Sequence, residues 1–388
     1  MQTGAYTFEA SKTIFGMPYT GAVVQEVERL GAQRIFLVAS RSLSRTTEAI
    51  QELRRALGAR FVGLFDDSTV SAPRSAVIAG AALAREAQAD AIVAIGGGSV
   101  MDSVKAMRLC LANQVTTVEG MDACRVSFEG GARRIPRLAA PTVPMLAVPT
   151  TLAGAESTTS AACFNAARGH KEEFAHPSLA AEMIILDPAI TVRTPQDLWL
   201  STGIRAVDHA VETICAVNHL PYSDALCLHA LQLLGNALPR CKERPDDLEA
   251  RLDAQVAAWM ARSGVAGDIN MGASHGIGHM LGSVAGVPHG HTSCVLLPLV
   301  LHWNKPVNVA RQALVSEALG HPGEDAGQVL ADFIAALGLP GTLRDVGITS
   351  HQQLETIATR SMYNKFVREN PRPIRSPQDV LEILELGW

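Results

Sequence analysis

DAIVAIGGGSVMDSVKAM, residues 90–107, decides the fold. Its first half is a short apolar run rich in β-branched residues, the pattern of a buried strand. That run ends in three consecutive glycines, Gly96, Gly97 and Gly98, followed by Ser99 and a stretch with helical periodicity. A strand–glycine–helix turn lets backbone N–H groups approach an anion while the helix N-terminus adds its partial positive charge. The turn is therefore read as a diphosphate cradle. Its spacing is GGGS and not GxGxxG, so it is not the standard Rossmann fingerprint. Asp102 is expected in the first helical turn, within reach of a ligand hydroxyl.

Working outward, RIFLVAS (34–40) reads as a strand, TTEAIQELRRALGA as a helix, RFVGLFD as a strand and SAVIAGAALAREAQA as a helix. The βαβ alternation predicts a parallel sheet. MLAVPTT (145–151) is a further strand, whose turn offers Thr150 and Thr151 to a phosphate or a nicotinamide. AACFN and EMIILDP flank the polar ARGHKEEF and predict a hairpin carrying Lys171, while residues 124–144 fit a long Gly-, Pro- and Arg-rich loop. YTFEASKTIF reads as an edge strand with core aromatics. From TPQDLWLST onward the period becomes 3.6, as in LEARLDAQVAAWMARSGVAG and DAGQVLADFIAALG. The expected organisation is a dinucleotide-binding α/β domain over residues 1–190 and an all-helical catalytic domain over residues 191–388.

Composition removes other classes. The chain has 388 residues, 47% of them hydrophobic, and a formal charge of −5, so it can bury a large core and offers no field to attract nucleic acid. Its seven cysteines are scattered and never spaced CxxC, which argues against a disulfide framework or a thiolate zinc site and suits a reducing cytoplasm. No apolar run approaches the roughly 20 residues a bilayer span needs. A soluble cytoplasmic enzyme without nucleic-acid or membrane partners is expected.

GIRAVDHAVE (203–212) sets Arg205 and His209 four residues apart on one helical face, and GASHGIGHMLGSVAGVPHGH (272–291) adds His275, His279, His289 and His291. The imidazoles are enough for a catalytic metal. Arg205 is not a ligand, because a guanidinium stays protonated and has no lone pair to give. Asp208 is about 100° around the helix from His209 and is not expected to serve as a ligand beside it; three residues beyond Arg205, it can instead pair with that guanidinium. An ordinary structural role is assigned to His219, His229, His302 and His351.

In order and spacing, GGGSVMDSVKA, VPTT, IILDP, GIRAVDHAVE, SHGIGHMLG and VPHGHTSCVLLP resemble the motifs of the iron-containing (group III) alcohol dehydrogenase family. The resemblance implies the fold shared with dehydroquinate synthase and glycerol dehydrogenase. It implies that Gly96, Gly97, Gly98, Ser99 and Asp102 bind the dinucleotide, that Thr150 and Thr151 lie by its phosphates and nicotinamide, and that Lys171 reaches toward the nicotinamide ribose. His209, His275 and His289 match three metal-ligand positions, and His279 matches the histidine near hydride transfer. The family's fourth ligand, an aspartate, falls at Arg205. The maleylacetate reductase branch also lacks that aspartate, usually with asparagine there, and is regarded as metal-free. LGLPGTLRDVGI and ENPRPI are similar to that branch, from which the arginine and the loop before residue 145 depart.

The expectation is an NAD(P)H-dependent oxidoreductase interconverting a carbonyl, in an aldehyde or a keto acid such as maleylacetate, with an alcohol or reduced acid. It works as a homodimer and without metal, Arg205 and the histidines replacing the ion and Arg205 able to clamp a substrate carboxylate. Ser40 and Arg41 follow the second strand where an acid would hold the ribose of NADH, so NADPH is accepted as well. The alternatives are an iron or zinc dehydrogenase on His209, His275 and His289, a dehydroquinate-synthase-like lyase, and a non-catalytic nucleotide-binding protein.

Overall fold

The computed structural model describes residues 11–68, 70–129, 132–265 and 269–388. They form two compact units that meet in sequence at Thr194 and Pro195.

The first unit is built on a parallel sheet. Its strands are β1 (Lys12–Phe15), β2 (Ile35–Ser40), β3 (Phe61–Ser68), β4 (Ala91–Gly96), β7 (Met145–Pro149) and β10 (Met183–Leu186), in the order β1-β10-β7-β4-β2-β3. β5 (Ser127–Glu129) pairs with β6 (Ala132–Arg134), and β8 (Ser160–Asn165) with β9 (His170–Ala175), each antiparallel. The central strands IFLVAS, AIVAIG, MLAVP and MIIL are buried almost without a break. A parallel sheet covered on both faces demands such continuous apolar runs in place of alternation. The chain leaves β2 for β3 on one side and returns to β4 on the other, so the ends of β2 and β4 form a topological switch point, the usual place for a ligand. Ser40 ends one of those strands and Gly96 the other.

Three local expectations change. EMIILDP is a strand of the main sheet, and AACFN pairs with HKEEFA; the hairpin closes on its nearer partner. The region 124–144 carries the β5–β6 ribbon as well as loop. Asp102 lies beyond the first turn, because the helix Gly98–Ala112 begins at the third glycine.

The second unit is helical in its regular structure. In the helix Gln196–Cys215 every residue from Trp199 to Cys215 is buried, as expected of a helix that packs on all sides. Around it run Pro221–Glu243, Leu248–Gly264, Ala273–Ala285 and His289–Ala318, the last bent near Pro306 and Asn308, whose φ/ψ is non-helical. Among the described residues no helix is long and apolar enough to cross a membrane, and all seven cysteines are free and buried.

Gly96 is needed at its position for two reasons: its φ is +154°, and a Cβ there would lie 2.7 Å from Cγ2 of Val100. Gly96→Ala is expected to cost about 1–3 kcal/mol of stability. A urea unfolding midpoint equal to that of the parent would show that Val100 yields without strain.

Candidate active site

At the switch point the glycine turn gathers the residues expected there. Thr150 N–H donates to Gly96 O at 3.0 Å. A Cβ on Gly97 would be 3.1 Å from Cγ2 of Thr151, and one on Gly96 would be 3.4 Å from Cβ of Ser40. Ser40, the three glycines, Thr150 and Thr151 are thus neighbours, and any side chain on Gly97 would press on Thr151. Ser40 caps the helix Arg41–Thr46, its Oγ accepting from Leu43 N at 3.4 Å. Arg41 is ion-paired with Asp67 on the next strand. Ser99 Oγ accepts from Ser71 N at 3.1 Å, and the Asp102 carboxylate is 3.2 Å from Lys105 Nζ. Lys171 is exposed on β9 opposite Phe164, and no hydrogen bond or ion pair among the described residues ties it to the turn.

The second unit holds a cluster of buried charge. Arg205, Asp208, His209 and Glu212 follow the i, i+3, i+4, i+7 stripe of one helix, and all four are buried. Arg205 is only 4% exposed. Its Nη1 donates to Ser293 Oγ at 2.9 Å and lies 3.3 Å from Asp208 Oδ2. The same Oδ2 accepts from the hydroxyls of Ser293 at 2.6 Å and Ser274 at 3.0 Å. The guanidinium has its counter-ion one turn along its own helix.

Glu212 closes the N-terminus of the helix Ala273–Ala285. It accepts from the backbone N–H groups of Gly272 at 2.9 Å, Ser274 at 2.8 Å and His275 at 3.4 Å, and from His275 Nδ1 at 2.7 Å. A helix start presents such unsatisfied donors, and a carboxylate there answers them. Gly272 is required by the close approach, since its Cβ would fall 2.7 Å from Glu212 Oε1. Because Nδ1 of His275 donates to the carboxylate, its Nε2 carries the lone pair, and that atom is buried without a hydrogen-bond partner.

The other imidazoles are close by. The rings of His209 and His275 are 4.9 Å apart, those of His279 and His289 5.8 Å, and Phe366 lies 6.3 Å from His275 and 5.7 Å from His279. His291 is engaged elsewhere, its Nε2 being 3.2 Å from the Asp197 carboxylate. Burial, reinforced by the positive charge of Arg205, holds the His275 imidazole well below its usual pKa; burial with Arg262 and Arg205 does the same to His209. Burial raises Asp208 to about 6 against the pull of Arg205 and the two serines. Burial and the neighbouring Asp208 push Glu212 upward, while the three backbone donors favour its carboxylate. The imidazoles of His209 and His275 are therefore neutral at neutral pH.

Would this set hold a metal ion? The acids and imidazoles whose ligand atoms all come within 4.8 Å of one another are Asp208, Glu212 and His275, and not the three histidines His209, His275 and His289. Much of that set is already hydrogen-bonded, while Asp208 Oδ1 and His275 Nε2 are buried without a hydrogen-bond partner. Glu212 is filled by helix N–H groups and His275, and Asp208 Oδ2 is shared by two hydroxyls and a guanidinium. A buried guanidinium is a permanent cation in the place of an anionic ligand, so the residues present do not fit a divalent ion. Asp208, left aside on its angle from His209, belongs to the buried stripe through its i+3 spacing from Arg205. Glu212, Ser274, Ser293, Asn364 and Phe366 were not anticipated; only Glu212 carried a signal, at i+7 from Arg205.

Removing Asp208 alone would leave a buried cation unpaired. Asp208→Ala is expected to cost about 3–5 kcal/mol, and Arg205→Met with Asp208→Leu to recover most of that. Urea denaturation of the parent and the two variants checks it. A single-mutant loss below about 1 kcal/mol would mean that the guanidinium reaches water without its partner.

Comparison with known proteins accords with this geometry. Residues 10–188 match the family model described as iron-containing alcohol dehydrogenase, and residues 199–388 match the C-terminal model of the iron-containing alcohol dehydrogenase family. The chain is 36% identical to the dehydrogenase FUM7 of Gibberella moniliformis, over 96% of this chain and 95% of that one. It is 28% identical to maleylacetate reductase 1 of Cupriavidus pinatubonensis, over 96% and 93% of the two chains. The crystal structure of maleylacetate reductase from Rhizobium sp. strain MTP-10005 superposes with a TM-score of 0.83 at 26% identity, covering 100% of this chain and 99% of that one. The chain is an oxidoreductase with the dehydroquinate synthase-like fold, and it belongs to the iron-containing alcohol dehydrogenase family, in its maleylacetate reductase-like branch.

Proposed function

We propose that this oxidoreductase is an NAD(P)H-dependent carbonyl reductase that works without a metal, on an aldehyde or a keto acid of the maleylacetate type. The observation that carries the reading is Arg205, buried and paired with Asp208 where a metal-binding relative needs an anionic ligand. The glycine turn offers its backbone to the cofactor diphosphate. In the reaction, the dihydronicotinamide passes a hydride from C4 to the carbonyl carbon, the π pair of the carbonyl moves onto oxygen, and that oxygen takes a proton from water. The products are an alcohol and NAD(P)+.

The chain's task is to stabilise the growing negative charge and to hold the carbonyl in line. Neutral imidazoles supply N–H donors. Arg205 acts from behind them as a fixed positive charge; with its Nη1 spent on Asp208 and Ser293, it does not suit the bidentate clamp on a substrate carboxylate expected from the sequence. For the cofactor, Arg41 is already ion-paired with Asp67, which supports acceptance of NADH beside NADPH.

The test is a screen for NADH and NADPH oxidation with maleylacetate, other keto acids and aldehydes. Turnover is expected to survive EDTA, and elemental analysis of the purified protein to find less than stoichiometric metal. Arg205→Ala should lose roughly 10²-fold in kcat, the scale of one lost transition-state donor. Activity abolished by chelation and restored by zinc or iron would overturn the metal-free reading.

A further inference from the structure

Asn364 is held at both ends of its amide. Its Oδ1 accepts from Phe366 N at 3.0 Å, capping the short turn Lys365–Arg368, and its Nδ2 is 3.2 Å from Nδ1 of His279. The cap settles which way the amide faces, because a backbone N–H can meet only the oxygen. The end toward His279 is thus an NH2 donor, and the ring nitrogen it meets must accept. A neutral imidazole with Nδ1 accepting carries its proton on Nε2. His275, four residues earlier, is in the opposite state, since Glu212 takes up its Nδ1–H and leaves Nε2 as an acceptor.

We propose that Asn364 is a positioning residue that holds His279 in the Nε2–H form, so that His275 and His279, both in van der Waals range of Phe366, meet a substrate oxygen with one acceptor and one donor. The burial of the two rings separates their parts. His275 is buried and His279 is partly exposed, so an entering carbonyl oxygen reaches His279 first and the His275 acceptor behind it. A neutral imidazole N–H is too weak an acid to surrender its proton, so its contribution is a hydrogen bond to the oxygen as negative charge grows there. The acceptor on His275 complements the hydroxyl of the alcohol. A donor–acceptor pair of this kind selects a carbonyl or hydroxyl group over a carboxylate, which would leave the His275 lone pair facing a second lone pair. The second step rests on the carbonyl-reductase reading; the tautomer assignment stands without it.

Two substitutions separate the amide from its cap. Serine and aspartate both cap helices well, so Asn364→Ser and Asn364→Asp keep the bond to Phe366 N and the turn it starts. Serine removes the amide donor. Aspartate replaces it with an acceptor and draws the His279 proton to Nδ1. The first measurement is two-bond 1H–15N NMR of protein labelled with 15N-histidine, the His279 signals being identified by their loss in His279→Gln. The expected result is the Nε2–H pattern for His279 in the parent and the Nδ1–H or doubly protonated pattern in Asn364→Asp. An Nδ1–H pattern in the parent, or a pattern unmoved in Asn364→Asp, would overturn the assignment whether or not the protein reduces any carbonyl.

The second measurement is steady-state reduction of maleylacetate and of a short-chain aldehyde. Asn364→Asp is expected to lower kcat about a hundredfold, with KM for NAD(P)H unchanged and thermal stability within error of the parent. Adding His279→Gln should bring little further loss, because the two act through one donor. Losses that track a fall in melting temperature, or that add fully in the double variant, would show Asn364 to be structural only. If neither substrate is turned over by the parent, the carbonyl reading of these two probes fails while the NMR result still decides the tautomer.

Discussion

A guanidinium in the middle of a helix buried from Trp199 to Cys215 is the constraint around which the helical unit is arranged. Arg205 is buried, with apolar or small residues before it on the helix and Asp208, His209 and Glu212 on its stripe after it, and an unpaired charge there would cost several kcal/mol. The helix solves this locally with Asp208 one turn on, and Ser293 from His289–Ala318 bonds both partners. Ser274, from the start of Ala273–Ala285, takes a further position on Asp208. One ion pair therefore specifies how three helices meet. It also sets the electrostatics next to it, since a cation so close disfavours protonation of His209 and His275.

The same three helices hold acids, imidazoles and a guanidinium in one hydrogen-bonded arrangement. Replacing a carboxylate by a guanidinium changes the local charge by two units, and a divalent ion bound there would face a like charge in a medium of low dielectric. The acid required for neutrality reappears three residues later on the same stripe, where it faces the arginine and not an ion. The surrounding imidazoles stay where the fold places them, with one nitrogen of His275 fixed by Glu212. Carboxylate–imidazole contacts of this type orient metal ligands in metalloenzymes; here the same contact orients a neutral ring.

The fold was legible because a parallel sheet leaves a strong trace. Strands covered on both faces must be apolar throughout, so IFLVAS and AIVAIG could be read directly, and the triple glycine marked where the strand ends and the next helix begins. The hairpin partner was misread because two apolar runs flank ARGHKEEF, and only tertiary pairing distinguishes an antiparallel neighbour from a strand returning to the main sheet. The histidines of the site were legible through their motifs. Asn364 and Phe366 were not, for they lie some 85 residues beyond His279 in the chain and carry no local pattern that links them to it.

Asp208 carries two readings on one helix, exclusion as a ligand beside His209 and pairing with Arg205, and both are legible in the spacing. Measured from His209 it is about 100° away, which correctly rules it out as a neighbour of that imidazole on the helix surface. Measured from Arg205 it is one turn along, within reach of the guanidinium. For a charged residue in a helix that is buried all round, the decisive question is where its counter-charge lies, and angular distance from a presumed metal answers a different one. In GIRAVDHAVE the i+3 spacing already offers Asp208 as that counter-charge, and the structure forms the pair.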